Sequence, residues 1–295
     1  MRARIGRGPR RAGENPSGTA YSVTHTAVGA IDRSELNGAS ASADDLRALA
    51  LTNYGHFTSM QVDAGGVRGL DLHLARLDAS TRELFGRPLD AGVVRGYMRS
   101  ALGERAGAAS LRINVFSRRL HRDRMAEPAL PDVMVSVSGP RRVEARPVRL
   151  KSFRYERVLP HVKHAGTFGL FHHRRLAQLD GFDDALFVDA SGAVSEASIW
   201  NIGFFDGNGI VWPDAPSLRG ISMQLLQKGL DERGMPGDSH RVAHADIGAF
   251  RSAFLTNSSC AVRPIAEIDG VRFRIDPELN AVLEACYGSN APQAI

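Results

Sequence analysis

Lysine is nearly missing from this chain. Of 37 basic residues only three are lysines, Lys151, Lys163 and Lys228, so arginine serves wherever charge alone is needed. A lysine kept against that background is a candidate for work that requires a primary amine, Schiff-base chemistry above all, because a guanidinium keeps its proton. Cysteine is equally scarce. Cys260 and Cys286 form no CxxC pair, and His172-His173 have no partners at metal-ligand spacing. A metal centre and a disulfide framework are therefore not expected, and a reducing cytoplasm is the natural setting. No run of 18 or more apolar residues occurs, so no membrane-spanning helix is expected.

Acidic residues are rare only at the start of the chain. The net charge of +5 resides almost entirely in the first twenty residues, where Arg2, Arg4, Arg7, Arg10 and Arg11 face Glu14 alone. Residues 1–19 read as a disordered basic tail, and without an apolar stretch behind them they do not make a signal peptide. The rest is close to neutral and has no aromatic-basic interleave, so no specific nucleic-acid partner is expected.

What is present is enough for a sizeable core: 295 residues, 43% of them apolar. Residues 20–150 read as a smaller α/β domain. HFTSMQVDAG and VRGLDLHL look like short strands around the turn Asp63-Ala64-Gly65-Gly66, and LDLHLARLDASTRELFG follows as a helix ending at Gly86. Residues 89–106 suggest another helix. SLRINVFSR and PDVMVSVSG alternate like strands on either side of an arginine-rich loop. Residues 151–295 read as a larger α/β domain. HHRRLAQLDGF is helical, three strands run from Asp184 to Pro213, and SLRGISMQLLQKGLDERG is a helix entered through Gly220.

The segment from Lys163 to Ser222 holds three groups in a chemically meaningful order. Pyridoxal-phosphate chemistry needs an amine, an acid beside the pyridine nitrogen, and donors around a phosphate at a helix N-terminus. Lys163, Glu196 and Gly220-Ile221-Ser222 answer these in turn. Each has a plainer reading, as a surface lysine, a strand carboxylate and a helix-entry glycine.

The same segment resembles the central block of the class IV, or fold-type IV, pyridoxal-phosphate enzymes. That block runs from a lysine through a helix to a G-x-D/E-E/D-A-L strand and V-x-E-x-x-x-x-N. Gly181 to Leu186, Glu196 and Asn201 occupy those positions. WPDAPSLRGIS is similar to the family's phosphate segment, YGHFTSMQV to its first strand, and LDLHLARL to its H-x-x-R-L helix, here His73 and Arg76. LTNSSCAVRPIAEIDG is similar to its second phosphate loop.

The resemblance implies a two-domain α/β (α+β) fold with pyridoxal 5'-phosphate between the domains, and a homodimer. It implies Lys163 as the Schiff-base lysine and proton shuttle, Glu196 at the pyridinium nitrogen, and Arg76 on the phosphate. Gly220, Ile221, Ser222, Ser258 and Ser259 complete the phosphate cup, and His73 is read as structural. Phe57 is a substrate-side residue, and Arg118, with His121 near it, is a substrate-carboxylate candidate.

The implied reaction transfers an amino group between an amino acid and a 2-keto acid. Phe168 stands where branched-chain aminotransferases carry tyrosine, Phe57 where D-amino-acid aminotransferases do, and Met223 where many members have arginine. Phe57-Thr58 resembles the aminodeoxychorismate lyase branch instead, so 4-amino-4-deoxychorismate lyase is the alternative. A non-catalytic binding protein that retains the fold is the third reading.

Overall fold

A computed structural model describes residues 31–63, 66–105, 107–141 and 143–295. The basic tail and the centre of the Asp63–Gly66 turn lie outside the described residues. The first part of the chain builds β1 (Ile31–Leu36), β2 (Ala39–Ser40), β3 (His56–Asp63), β4 (Gly66–Val67), β5 (Ala109–Phe116) and β6 (Asp132–Ser138). Between them lie helices α1 (Ala43–Thr52), α2 (Leu70–Phe85) and α3 (Ala91–Leu102).

From Val148 onward come strands β7 (Val148–Arg154), β8 (Asp184–Val188), β9 (Val194–Ala197), β10 (Asn201–Phe205) and β11 (Ile210–Pro213). They continue as β12 (Gly237–His240), β13 (Ser252–Asn257), β14 (Cys260–Ile268) and β15 (Val271–Arg272). Helices α4 (Phe168–Leu179), α5 (Ile221–Glu232) and α6 (Pro277–Gly288) accompany them, and β16 (Gln293–Ala294) ends the chain.

Among the described residues the strands form two sheets. The first is ordered β16-β4-β3-β5-β6-β1-β2, and the second β12-β11-β10-β13-β14-β7-β8-β9, with β15 against β14. The second sheet is mixed, β7 running parallel to both β8 and β14. Mixed α/β architecture with a core under each sheet agrees with the expected fold class. One core joins β3, β5 and β6 to α2 and α3 through Met60, Leu77, Met98, Ile113 and Val135. Another lies under the second sheet around Leu150, Leu186, Phe204 and Leu255.

The segment VRGLDLHL differs from its expected strand. Only Gly66 and Val67 pair as strand, and the helix begins at Leu70. Gly69 turns the chain with φ of 66°, a left-handed conformation that a β-carbon disfavours. Beyond it Leu70, His73, Leu74, Leu77 and Thr81 recur at helical spacing on the buried face. Gly86, with φ of 64°, stops the helix by donating its N–H to the Arg82 carbonyl. That geometry fixes the helix face carrying His73 and Arg76 against β3.

The C-terminal strand crosses back to the first sheet, Gln293 opposite Val67. Gln293 Oε1 accepts from the Asp71 N–H at 2.9 Å, and Arg95 donates to the Ala294 carbonyl at 2.6 Å. Arg68 also donates to the Asn290 carbonyl.

In the third core α5 lies against α6 at backbone contact, where a β-carbon on Gly229 would sit 2.1 Å from the Cys286 carbonyl oxygen. Gly229→Val must push the two helices apart. We expect a loss of about 1–3 kcal/mol, read as a lower urea midpoint at unchanged slope. An unchanged midpoint would show that this contact does not constrain the helix pair.

Candidate active site

Lys163 lies in an irregular stretch that leaves β7 and reaches the first sheet. Its carbonyl accepts from the Phe57 N–H at 2.9 Å, and the Ala165 N–H donates to the Gly55 carbonyl at 2.8 Å. His164 bridges His56 between these two bonds. The lysine is thereby stitched to the head of β3 while its chain continues into α4.

Its Nζ lies 4.9 Å from the centroid of the Phe57 ring. Part of the side chain remains open to solvent, but the amine is enclosed. Burial, reinforced by the positive charges of Arg76, Arg157 and Arg112 against the single opposing charge of Glu196, brings its pKa to about 7.

Glu196 is on β9 and buried. Arg157 Nε lies 2.9 Å from its Oε1, and the Leu218 N–H donates to Oε2 at 3.3 Å. Burial raises its pKa above the ordinary carboxylate value, against the pull of Arg157, Leu218 and Lys163. Arg157 is itself only 6% exposed and donates to the Pro160 carbonyl. The sequence reading passed over it. Its pairing with Glu196 spans 39 positions of chain (196 less 157), and nothing local sets it apart from other arginines.

Arg76 projects from α2 and donates Nη2 to Thr58 Oγ1 at 2.6 Å. Its Nε is buried without a hydrogen-bond partner among the described residues. Such an atom costs stability unless an acceptor is supplied. Thr58 also lies 2.6 Å from His73 Nδ1.

His73 then forms part of the wall of a cavity of about 210 Å³, which Ile221, Ser222, Ser258 and Ser259 also line. Ile221 and Ser222 open α5, so unpaired backbone N–H groups face this end. Gly220 caps the helix at a position where a β-carbon would fall 2.0 Å from Asn201 Oδ1. Asn201 in turn donates to the Leu218 carbonyl at 2.6 Å, fixing the chain just before Arg219 and Gly220.

These positions fit an anion bearing a phosphate. The cavity wall offers a helix N-terminus and three hydroxyls. Arg76, Lys163 and Glu196 do not line it; Arg76, with its unsatisfied Nε, connects to it through Thr58 and His73, and its charge acts on the Lys163 amine.

On the substrate side, strand register puts Phe57 opposite Asn114, so Phe57, Asn114 and Arg112 share one face. The Arg112 guanidinium lies over the Phe57 ring, 3.7 Å from its centroid, and donates to Asn114 at 3.0 Å. Arg118 stands elsewhere. Its Nη1 and Nη2 donate to Asp45 at 2.6 Å and Asp132 at 3.0 Å, so its fork is held in ion pairs. Arg112, unlike Arg118, joins Arg76 and Arg157 in the Phe57–Lys163 neighbourhood, and the alternation in LRIN was the signal for it. Phe168 opens α4 at 80% exposure, outside the enclosed site.

The sequence profile of amino-transferase class IV matches residues 55–268. No curated protein sequence matches the chain significantly. Among solved structures the fold is similar to the Escherichia coli branched-chain amino acid aminotransferase: TM-score 0.76, 15% identity, covering 88% of this chain and 95% of that one. It is also similar to a putative 4-amino-4-deoxychorismate lyase from Legionella pneumophila, with TM-score 0.75, 19% identity, and 82% and 93% coverage. A hypothetical aminotransferase from Mycobacterium tuberculosis in its PLP-bound form gives TM-score 0.69, 20% identity, and 82% and 92% coverage.

The depressed pKa of Lys163 has a measurable sign. Below about pH 7 the amine is protonated and unreactive; above it the amine is free. In protein stripped of small molecules, labelling of Lys163 by an amine-reactive reagent, followed on its peptide by mass spectrometry, is expected to rise and level off around pH 7. A free lysine keeps rising to near pH 10. A Lys163 profile of that second kind would contradict the electrostatic account.

Proposed function

From the premise that this chain belongs to the class IV aminotransferases, we propose that it transfers amino groups between an amino acid and a 2-keto acid, with pyridoxal 5'-phosphate held by Lys163, Glu196 and Arg76. The observation that carries this reading is the enclosed amine of Lys163 among three arginines and one buried carboxylate. When bound, the cofactor supplies an aldehyde for amines and a protonated ring that draws electrons from the substrate α-carbon.

The chain's own residues do the rest. Lys163 provides an uncharged amine near neutral pH, first as the attachment point and, once displaced, as the base that takes the α-proton on Nζ and returns it. Glu196 holds the ring proton. Arg157 and the Leu218 N–H orient that carboxylate and pull its pKa down against the rise that burial imposes. Arg76 meets the phosphate with its unsatisfied Nε, and the Ile221 and Ser222 N–H groups with the hydroxyls of Ser222, Ser258 and Ser259 close the cup. Arg112, laid over Phe57, takes the substrate carboxylate, a role that the committed ion pairs deny to Arg118.

A second reading, 4-amino-4-deoxychorismate lyase, draws support from Phe57-Thr58 at the head of β3. It uses the same residues and ends in pyruvate release.

Cofactor-loaded protein is to be offered a panel of amino donors with and without a 2-keto acid. The expected result is acceptor-dependent amino transfer that falls on the order of 10³-fold in Lys163→Ala. Pyruvate released from 4-amino-4-deoxychorismate without an acceptor would establish the second reading. Neither product from fully loaded protein would overturn both.

A further inference from the structure

The contacts behind Arg76 have a direction that donor and acceptor chemistry fixes. A guanidinium only donates, so Thr58 Oγ1 accepts from Arg76 Nη2 across 2.6 Å. The hydroxyl has one proton to place. Thr58 is fully buried, and its other side-chain contact among the described residues is His73 Nδ1, also at 2.6 Å. If His73 donated here, the hydroxyl proton would be buried without an acceptor. Nδ1 is therefore the acceptor, and the ring is neutral with its proton on Nε2.

The surroundings agree with that assignment. His73 is 2% exposed, and burial, with the charges of Arg76 and Lys163, holds its pKa well below the ordinary histidine value. A histidinium would donate from both nitrogens and release Thr58 to turn its proton elsewhere, loosening the hold on Arg76. With Nη2 tied to Thr58, the buried and unsatisfied Nε of Arg76 is left for the ligand.

We propose that His73 is a positioning residue for the anion site, a neutral imidazole in the cavity wall that orients Arg76 through the Thr58 hydroxyl. The inference rests on the reading above that Arg76 meets the cofactor phosphate. It assigns work to a histidine that otherwise reads as a core residue, and it explains why a threonine hydroxyl lies buried between a helix and a strand.

Two measurements test it. The first is the ¹⁵N spectrum of the wild type, recorded with and without pyridoxal phosphate, in which His73, assigned by its loss in a variant, should show a protonated Nε2 and a bare Nδ1 across neutral pH. A protonated Nδ1 would overturn the proposal. The second compares dissociation constants for pyridoxal 5'-phosphate and for pyridoxal, which lacks the phosphate.

His73→Leu, which removes the acceptor, should weaken pyridoxal phosphate on the order of tenfold and leave pyridoxal within about twofold. His73→Asn places a carboxamide oxygen where Nδ1 stood and should restore most of the affinity. Thr58→Val should match His73→Leu. Equal weakening of both compounds, or no weakening of either, would overturn the proposal. Failure of the wild type to bind pyridoxal phosphate would instead overturn the proposed function, with the ¹⁵N spectrum still deciding the tautomer.

Discussion

Everything at this site depends on how Lys163 is tied between two sheets. The Phe57 N–H to Lys163 carbonyl bond and the Ala165 N–H to Gly55 carbonyl bond extend β3 by a short run of chain that begins in the second sheet. That stitching fixes the backbone of the lysine against the first sheet, while Glu196 on the second sheet and Arg157 in the stretch after β7 bring their charges to bear on its amine. A lysine on a free loop would find water and keep its proton. Held here, it is enclosed and titrates near 7.

The electrostatic consequence is an excess of cations. Arg76, Arg157 and Arg112 lower the lysine's pKa, and Glu196 alone opposes them. The Arg157–Glu196 pair is buried on both sides, an arrangement that seldom adds stability of its own and that holds its members in place. The remaining positive charge and the unsatisfied Arg76 Nε are what an anionic ligand would neutralise. On this account the site is incomplete without a phosphate, and binding one stabilises the fold by mass action.

Much of this was legible in the residues. Lys163 stood out because so few lysines exist, and Glu196 and the entry to α5 followed it in the order the chemistry needs. The β3 and β5 strands and the α2 helix could be read from alternation and helical spacing. Three features resisted. The strand expected for VRGLDLHL shrinks to Gly66 and Val67, because one left-handed glycine turns the chain at once into the helix that was read from Leu70. Arg157 was hidden because its partner is distant in sequence and arginine is everywhere in this chain. Arg118 looked free in an arginine-rich loop, but Asp45 comes from a capping box on α1 and Asp132 from the head of β6, and only the fold brings them together.

The central claim, that Lys163 is the amine of a pyridoxal-phosphate site, is tested most directly by chemistry at that atom. The protein is incubated with pyridoxal 5'-phosphate, reduced with borohydride, digested, and its three lysine-containing regions are read by mass spectrometry. The account predicts a phosphopyridoxyl adduct on Lys163 at near-stoichiometric yield, with Lys151 and Lys228 unmodified. An adduct spread over all three lysines, or none at Lys163, would contradict it.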